Sequence, residues 1–389
     1  MVKTFRLDIC LVEEQFEMVQ YVEKGRKPRW RYFPKEGHPQ AVTRFDGTRI
    51  TPGFLQAIAY EVYVKNVIFG LLHQWLGDMG MTVSETTLRN WLKKGRKYLD
   101  RMVVELKRIA LEKDAVVNCD ETWCKVRKYD RYKKCYMWVL VNKAERVVIF
   151  FYEDGSRGRD VLTNFLGDAE LKALMSDGYN AYVFIGDGLK THRYKDTDHQ
   201  VCLAHVRAKF VKARMEGGDK RADVFLDNIN RLFRFEREYD REMITDGERT
   251  RRRQGLPTME AMINLRANLL QELKSEEEQK SCYMREALNY LHKFWNEAFT
   301  YIKDGRYPIS NNLAERAVRP FTTKRKNSLH FGSDEGAEIA AVYHSIISTV
   351  KLQGRSAWGY LGKFFTGIFN GCRDFLSLTP QNIDLAVCQ

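Results

Sequence analysis

The chain has 389 residues, which suggests two or three domains, and its 44% hydrophobic and 12% aromatic content exclude a disordered polypeptide. Its formal net charge of +13 fits a polyanionic partner, either nucleic acid or an acidic membrane surface, although a soluble protein with surplus lysine would carry the same balance. The longest uncharged apolar stretches, residues 66–77 and 339–350, are too short to span a bilayer, and Arg6 and Asp8 fall where a signal peptide needs an apolar run, so no membrane association and a cytoplasmic location are expected.

Residues 1–45 are polar and mixed, and "KGRKPRWRYFPKEG" from Lys24 reads as a basic arm or a solvated linker. From Thr51 apolar residues recur at helical spacing, among them Phe54, Ile58, Val62, Ile68 and Leu72, until Gly80 interrupts them. A second helix then follows in "TVSETTLRNWLKKGRKYL", with Ser84 as its N-cap. Its spacing turns Leu88, Trp91 and Leu92 inward and Thr86, Arg89, Asn90 and Lys93 outward. A helix, a glycine turn and a polar, basic second helix match a helix-turn-helix reader of the major groove, in which Arg89, Asn90 and Lys93 contact DNA. A helical hairpin that binds nothing is the competing reading, and the basic charge of the chain weighs against it.

From Ala115 the period changes. "AVVNCDETW" reads as a buried strand closed by Asp120. "CYMWVLVN" and "RVVIFFYE" form two further strands, joined through residues 143–145 as a hairpin. "RDVLTNFLGDAE" is a helix, "LKALMSDGY" a short fourth strand, and "HQVCLAHV" from His199 to Val206 a fifth. Phe225, Ile229, Leu232 and Tyr239 then repeat at helical spacing, as do Leu288, Leu291, Trp295, Phe299 and Ile302, with the basic stretch "GERTRRRQGLP" between them. The expected fold class is therefore α/β: a ribonuclease-H-like mixed sheet core with a helical insertion and a helical N-terminal DNA-binding region. The boundaries expected are a basic arm over 1–45, the helix-turn-helix-like region over 46–112, the first part of the core over 113–210, the insertion over 211–305, the rest of the core over 306–355 and a C-terminal tail over 356–389.

Three acids recur at element ends: Asp120, Asp177 in "MSDGYNAY", and Glu315 in "YPISNNLAERAVRP", on a short helix that Pro320 would stop. Strands one and four are neighbours in such a sheet, so their carboxyl ends sit together, and a following helix can carry Glu315 to the same edge. Three carboxylates there make a hard oxygen site for Mg²⁺ or Mn²⁺. Phosphodiester cleavage suits such a site, because two divalent ions about 3.5–4 Å apart can activate an attacking oxygen, stabilise the departing one and relieve phosphate charge. In that arrangement Asp120 bridges both ions, and Asp177 and Glu315 each hold one. The cations around the last acid, Arg316, Arg319, Lys324, Arg325 and Lys326, would then hold phosphates. Simpler readings compete: Glu315 paired with Arg319 at i,i+4, which spacing alone favours; Asp177 as the common "DG" turn; Asp187 in place of Asp177; and Glu121 in place of Asp120, though strand alternation points those two to opposite faces. The eight cysteines form no C-x-x-C pair, and Cys119, Cys124 and Cys135 have no histidine at zinc spacing, so reduced thiols are expected.

Four stretches, "DETW" at Asp120, "SDGYNAY" at Ser176, "CLAHVRAKF" at Cys202 and "ISNNLAERAVRPFTTKRKNSLHFGSDEGAE" at Ile309 continuing through "TVKLQG", together resemble the insertion-sequence-66 family of bacterial transposases. The similarity runs in order from about residue 51 to 355. It implies a DDE transposase on a ribonuclease-H-like core, with the triad Asp120, Asp177 and Glu315 (and so Asp177 over Asp187), two Mg²⁺ ions replaceable by Mn²⁺, and His205 and Arg207 near the site. It also implies DNA, as element ends and target, for a partner, a homo-oligomer on that DNA, and association with the nucleoid when bound. Two departures stand out. Family members often carry a longer N-terminus with a coiled coil and a cysteine-bearing segment, whereas here Cys10 alone precedes Cys119 and no leucine heptad occurs there, so end recognition or oligomerisation is expected to differ or to be missing. The family's paired arginines after the histidine are replaced by Arg207-Ala208 with Lys209 next, which alters one phosphate contact and leaves the triad intact. The function expected is cleavage and strand transfer of an insertion element. The alternatives are an inactivated or shortened derivative that only binds DNA, and a structure-specific nuclease on the same fold.

Overall fold

The computed structural model describes residues 11–12, 19–22, 24–25, 27, 29–31, 45, 48–187, 189–275 and 280–384, so most of the expected basic arm lies outside the described residues. In chain order the elements are β1 (Val19–Tyr21), β2 (Arg29–Arg31), α1 (Pro52–Tyr63), α2 (Phe69–Asp78), α3 (Glu85–Ala110), β3 (Val116–Lys128), β4 (Arg131–Asn142), β5 (Val147–Phe151), α4 (Arg159–Leu166), β6 (Ala173–Ser176), β7 (Asp198–Val201), α5 (Leu203–Met215), α6 (Ala222–Glu242), α7 (Asp246–Arg253), α8 (Leu256–Lys274), α9 (Cys282–Lys293), α10 (Trp295–Phe299), α11 (Asn312–Ser328), α12 (Asp334–Leu352) and α13 (Ala357–Phe369). Contacts divide them into two compact units. One comprises residues 1–105, 323–329 and 342–389, the other residues 106–322 and 330–341. Among the described residues no helix is long and apolar enough to cross a membrane.

The first unit is helical. Thr51 caps α1 by accepting the Phe54 N–H, and Pro52 starts the helix where its missing N–H is no loss. The helical pattern from Thr51 to Gly80 splits into α1 and α2 at Asn66, whose φ of 63° an asparagine tolerates better than most residues. Ser84 caps α3 as expected, accepting the Thr87 N–H at 3.1 Å, and Leu88, Trp91 and Leu92 are buried while Thr86, Arg89, Asn90 and Lys93 are exposed. The residues read as a C-terminal tail include a helix: α13 buries Tyr360, Leu361, Phe364, Phe365 and Ile368, and its Trp358 carbonyl accepts the Gln56 amide of α1 at 2.8 Å.

The second unit is built on a five-stranded mixed sheet in the order β5-β4-β3-β6-β7. Strands β3, β4 and β5 form an antiparallel meander, and β6 and β7 run parallel to β3. The β4–β5 hairpin turns where expected, with the Asn142 side chain accepting the Glu145 N–H. Strand β3, by contrast, does not end at Asp120. It continues to Lys128 and returns as β4 through the two-residue connection Tyr129–Asp130, Tyr129 having φ 58°. Only Val116–Asn118 pair with β6, so Asp120 lies two residues past the last parallel rung while still opposite Val139 of β4. The fifth strand is shorter than its apolar run: β7 stops at Val201, the Cys202 N–H bonds the Ser176 carbonyl, and α5 takes over at Leu203, placing His205 in a helical first turn.

Helices α6 to α10 form the insertion, with Phe225, Ile229, Leu232, Leu265, Leu288, Leu291 and Phe299 in its core. Arg253, from the basic stretch, is only 1% exposed. Its donors reach both Glu236 oxygens at 2.7 and 2.8 Å and the carbonyls of Tyr301, Asp304 and Tyr307 at 2.6–3.0 Å. The Tyr307 hydroxyl in turn donates to Asp198 of β7 at 2.7 Å. The insertion's return to the sheet is thus fixed by a charged clamp, and the chain enters α11 from a defined point.

Candidate active site

The candidate residues lie where β6 and β7 end and where β3 passes beyond its last rung with β6. Asp177 follows β6 directly and accepts the N–H of Tyr179 at 2.9 Å, and the intervening Gly178 N–H bonds the Tyr290 hydroxyl of α9 at 2.9 Å. A side chain on Gly178 would meet Tyr290 and Phe294 at 2.5–2.8 Å, so the glycine lets α9 approach the loop. The helix that carries Glu315 is fastened through Asn311, which is fully buried. The Asn311 amide donates to the Cys119 carbonyl of β3 at 2.9 Å and its oxygen accepts from Asn118 at 2.9 Å. Its backbone N–H bonds the Cys202 sulfur at 3.1 Å, and the Glu315 N–H closes the first helical turn on the Asn311 carbonyl. One asparagine therefore ties α11 to β3 and to the end of β7. Pro320 does not stop this helix, which runs on to Ser328; a proline removes one internal hydrogen bond, and flanking packing, including Val318 and Phe321 in the core, holds the rest.

Electrostatics join the three acids. Burial first, then the charge of Glu121, and further Asp177 and Glu315, push the Asp120 carboxyl up to about 8. Glu121 also sits above its ordinary value, mainly through burial. Its carboxylate is already engaged, by Arg157 at 2.5 Å and the Tyr182 hydroxyl at 2.5 Å, and points away from a role as a free ligand. Asp187 is likewise engaged, with Lys190 at 2.9 Å, and the lysine holds its carboxyl below the usual range. His205 Nδ1 lies 3.9 Å from a Glu315 oxygen and is buried without a hydrogen-bond partner.

The donor atoms of Cys202, His205 and Glu315 all lie within 4.8 Å of one another. Burial pushes the Cys202 thiol up to about 11, so at neutral pH it is a poor ligand beside the carboxylates. The imidazole Nδ1 has no hydrogen-bond partner, and the charges that act on the half-buried Asp120 carboxyl are those of other acids. Among the described residues Asp120 and Asp177 do not join this group, whose sulfur, nitrogen and single carboxylate are a softer set than the all-oxygen one expected for Mg²⁺ or Mn²⁺.

The expected phosphate contacts fare unequally. Arg316, Arg319 and Lys326 are exposed along α11 and Arg325 partly so. Lys324 is corrected: it is buried, donates to the Val62 carbonyl at 2.7 Å and lies over the Tyr63 ring, with no face left for a phosphate. Arg207 hydrogen-bonds Asn230 of the insertion at 2.7 Å rather than an acid of the site. In the helical unit Arg89 pairs with Glu85 at 2.5 Å and covers the Phe69 ring. Sequence reading passed over Asn118, Cys202, Arg157, Tyr182 and Tyr290. Asn118 alone left a signal, because a polar residue inside a buried apolar strand needs a partner.

A mixed α/β chain built on a five-stranded mixed sheet with many helices is the class these features define. The family model described as "Transposase IS66 family" matches residues 47–339. The chain belongs to the IS66 family of transposases. Among curated proteins it is similar to three from Sinorhizobium fredii (strain NBRC 101917 / NGR234): "Uncharacterized protein y4jD", 26% identical over 85% of this chain and 65% of that protein; "Uncharacterized protein y4qI", 27% identical over 61% and 43%; and "Uncharacterized protein y4hP", 25% identical over 60% and 44%. The chain thus spans between about two fifths and two thirds of the length of these relatives.

Proposed function

We propose that this chain is a DDE-type transposase that cleaves DNA at the ends of an insertion element and joins the freed 3′-hydroxyl to target DNA, with Asp120, Asp177 and Glu315 as its catalytic and metal-holding residues. The observation that carries the reading is the Asn311 tether, which brings the Glu315 helix to the sheet edge where Asp120 and Asp177 lie. The strand order, three antiparallel strands followed by two parallel ones, supports a ribonuclease-H-like core. The exposed Arg89, Asn90 and Lys93 on α3 support a helix-turn-helix reading of the helical unit.

Two divalent ions, when bound, would supply Lewis acidity at the phosphate and a lowered pKa for the attacking water or 3′-hydroxyl. The protein's own part is to hold the three carboxylates near enough to act on one another, so that their mutual repulsion favours cation uptake. Arg157 and Tyr182 keep Glu121 out of that set. His205, its Nδ1 3.9 Å from Glu315, flanks that carboxylate, and Arg316 and Arg319, one and four residues further along the same helix, hold backbone phosphates beside it. The DNA-bound protein is expected at the nucleoid as a homo-oligomer.

Asp120→Asn, Asp177→Asn and Glu315→Gln are each expected to lose Mg²⁺-dependent strand transfer by at least about 10³-fold, given the size of metal-centred electrostatic contributions. Full activity in any one of them overturns the assignment. Retained DNA affinity without divalent-ion uptake by calorimetry would mark a protein that only binds DNA.

A further inference from the structure

Beyond Asp120, β3 and β4 run on together as a hairpin that the site does not use. Residues 123–134 hold six cations, Lys125, Arg127, Lys128, Arg131, Lys133 and Lys134, against the single acid Asp130. Cross-strand register decides which of them share a face. Trp123 lies opposite Tyr136, Lys125 opposite Lys134, and Arg127 opposite Tyr132, so these six side chains form one face of the ribbon. The opposite face presents Cys124, Val126 and Cys135, all buried. Tyr129 at the tip is 94% exposed and Tyr132 53%.

The ribbon is braced. The Phe331 N–H bonds the Lys125 carbonyl at 2.8 Å and the Phe331 carbonyl accepts the Arg127 N–H at 2.9 Å, giving β3 a second neighbour where β6 has ended. Tyr132 packs against His330, ring centroids 4.4 Å apart. Lys128, on the inner side, is neutralised by Asp154 and Asp334. Among the described residues, none of Lys125, Arg127, Arg131 and Lys134 is within ion-pairing distance of an acid. A stiff, outward, single-sign face with interleaved aromatics, growing out of the strand that holds Asp120, needs a polyanion that extends past the site.

We propose that the outward face of the β3–β4 hairpin, with Lys125, Arg127 and Lys134, together with the exposed Tyr129 and Arg131 where the hairpin turns, is a docking surface for the phosphate backbone of duplex DNA, read without regard to sequence. Steps of about 6.8 Å between alternate strand residues space its cations along a backbone whose phosphates rise about 3.4 Å each. A ribbon of two strands is also narrow enough to follow a groove of the duplex. The inference takes the identity of its polyanion from the proposed transposase reading.

The test uses the full chain and a labelled duplex of arbitrary sequence, about 30 base pairs long, with affinity followed from about 50 to 200 mM salt. Lys125→Gln/Arg127→Gln/Lys134→Gln should weaken binding at least about tenfold at low salt and flatten the log–log salt slope by about 2.7, the loss of three phosphate contacts. Arg131→Gln/Tyr129→Ser, at the exposed tip, should weaken it in the same direction and serves if the triple variant melts early. A control that removes three exposed lysines elsewhere, Lys143→Gln/Lys195→Gln/Lys293→Gln, should change the slope little. Wild-type affinity in both hairpin variants, an equal loss in the control, or loss of self-association with DNA binding intact would each overturn the hairpin assignment and leave the transposase reading standing. Failure of the wild-type chain to bind the duplex at low salt would remove both.

Discussion

Arg253 and Asp120 are both charged groups sunk into the sheet-bearing unit, yet their surroundings are opposite. Arg253 meets an acceptor at every donor: two oxygens of Glu236 and three backbone carbonyls. Asp120 receives one backbone N–H, from Glu121, and its nearest charges are acids. Where the protein itself neutralises a buried charge, the charge holds the chain together; where it leaves the group unmatched, burial and neighbouring acids keep it protonated in the absence of metal. The first arrangement positions the second, because the clamped carbonyls belong to the segment that leads into Asn311 and α11.

Breaking the matched pair should have the largest effect. Arg253→Met leaves Glu236 buried with only Arg249 beside it and three carbonyls without their donor, and removing one partner of such a pair costs about 3–5 kcal/mol. A urea denaturation midpoint shifted by much less would show that the clamp is incidental. Arg253→Met/Glu236→Met should recover part of the loss, since no lone charge then remains.

The unmatched carboxyl should behave in the contrary sense. With the Asp120 pKa raised from 3.8 to about 8, the metal-free native state holds a proton that the unfolded chain releases. The stability this provides is complete below about pH 4 and is lost as pH rises to about 8. Each unit of difference corresponds to about 1.4 kcal/mol. Asp120→Asn should therefore melt higher than wild type at pH 8 without metal, by an amount on the order of a few kcal/mol, and Mg²⁺ should narrow the gap. Parallel pH profiles for the two proteins would show that the acids do not strain one another.

Asn311 stands between the two regions. Asn311→Ala leaves the Asn118 amide and the Cys119 carbonyl buried without their partner, a loss of about 1–3 kcal/mol. Strand transfer at a temperature where the variant is still folded should fall further than this loss of stability explains, because Glu315 is no longer held. If activity simply follows the folded fraction, the tether is structural only.

How much of this could be read beforehand depends on the range of each interaction. The strand meander, the β4–β5 turn, the α3 cap and the inward face of α3 follow from neighbours within a few residues, and all were legible. The extension of β3 past Asp120 was not, because Lys125, Arg127 and Lys128 look like a solvated run until β4 supplies their cross-strand partners. The helical character of His205 was hidden by the apolar run before it, and only the pairing of β7 with the four-residue β6 shows why the strand stops. Pro320 misled for a similar reason, since the burial of Val318 and Phe321 outweighs the hydrogen bond it removes. The grouping of Glu315 with Asp120 and Asp177 rests on family resemblance, and nothing local announces a tether spanning 192 residues from Cys119 to Asn311.

The smallest effect expected lies in the helical unit and probes its two caps. Ser84 accepts the Thr87 N–H and Thr51 the Phe54 N–H, each at 3.1 Å. Either Ser84→Ala or Thr51→Ala should cost about 1 kcal/mol, the usual loss when a capping oxygen goes. Their consequences should nevertheless differ. Ser84 begins the helix that presents Arg89, Asn90 and Lys93, whereas α1 buries Leu55, Ile58, Ala59 and Val62 and presents none of these candidate contacts. Fraying α3 at its first turn loosens residues five to nine positions further on, so Ser84→Ala should weaken DNA affinity about two- to fivefold and Thr51→Ala should leave it unchanged at equal stability. Equal affinities in the two variants would show that α3 is a scaffold helix whose outward polar face is merely solvated.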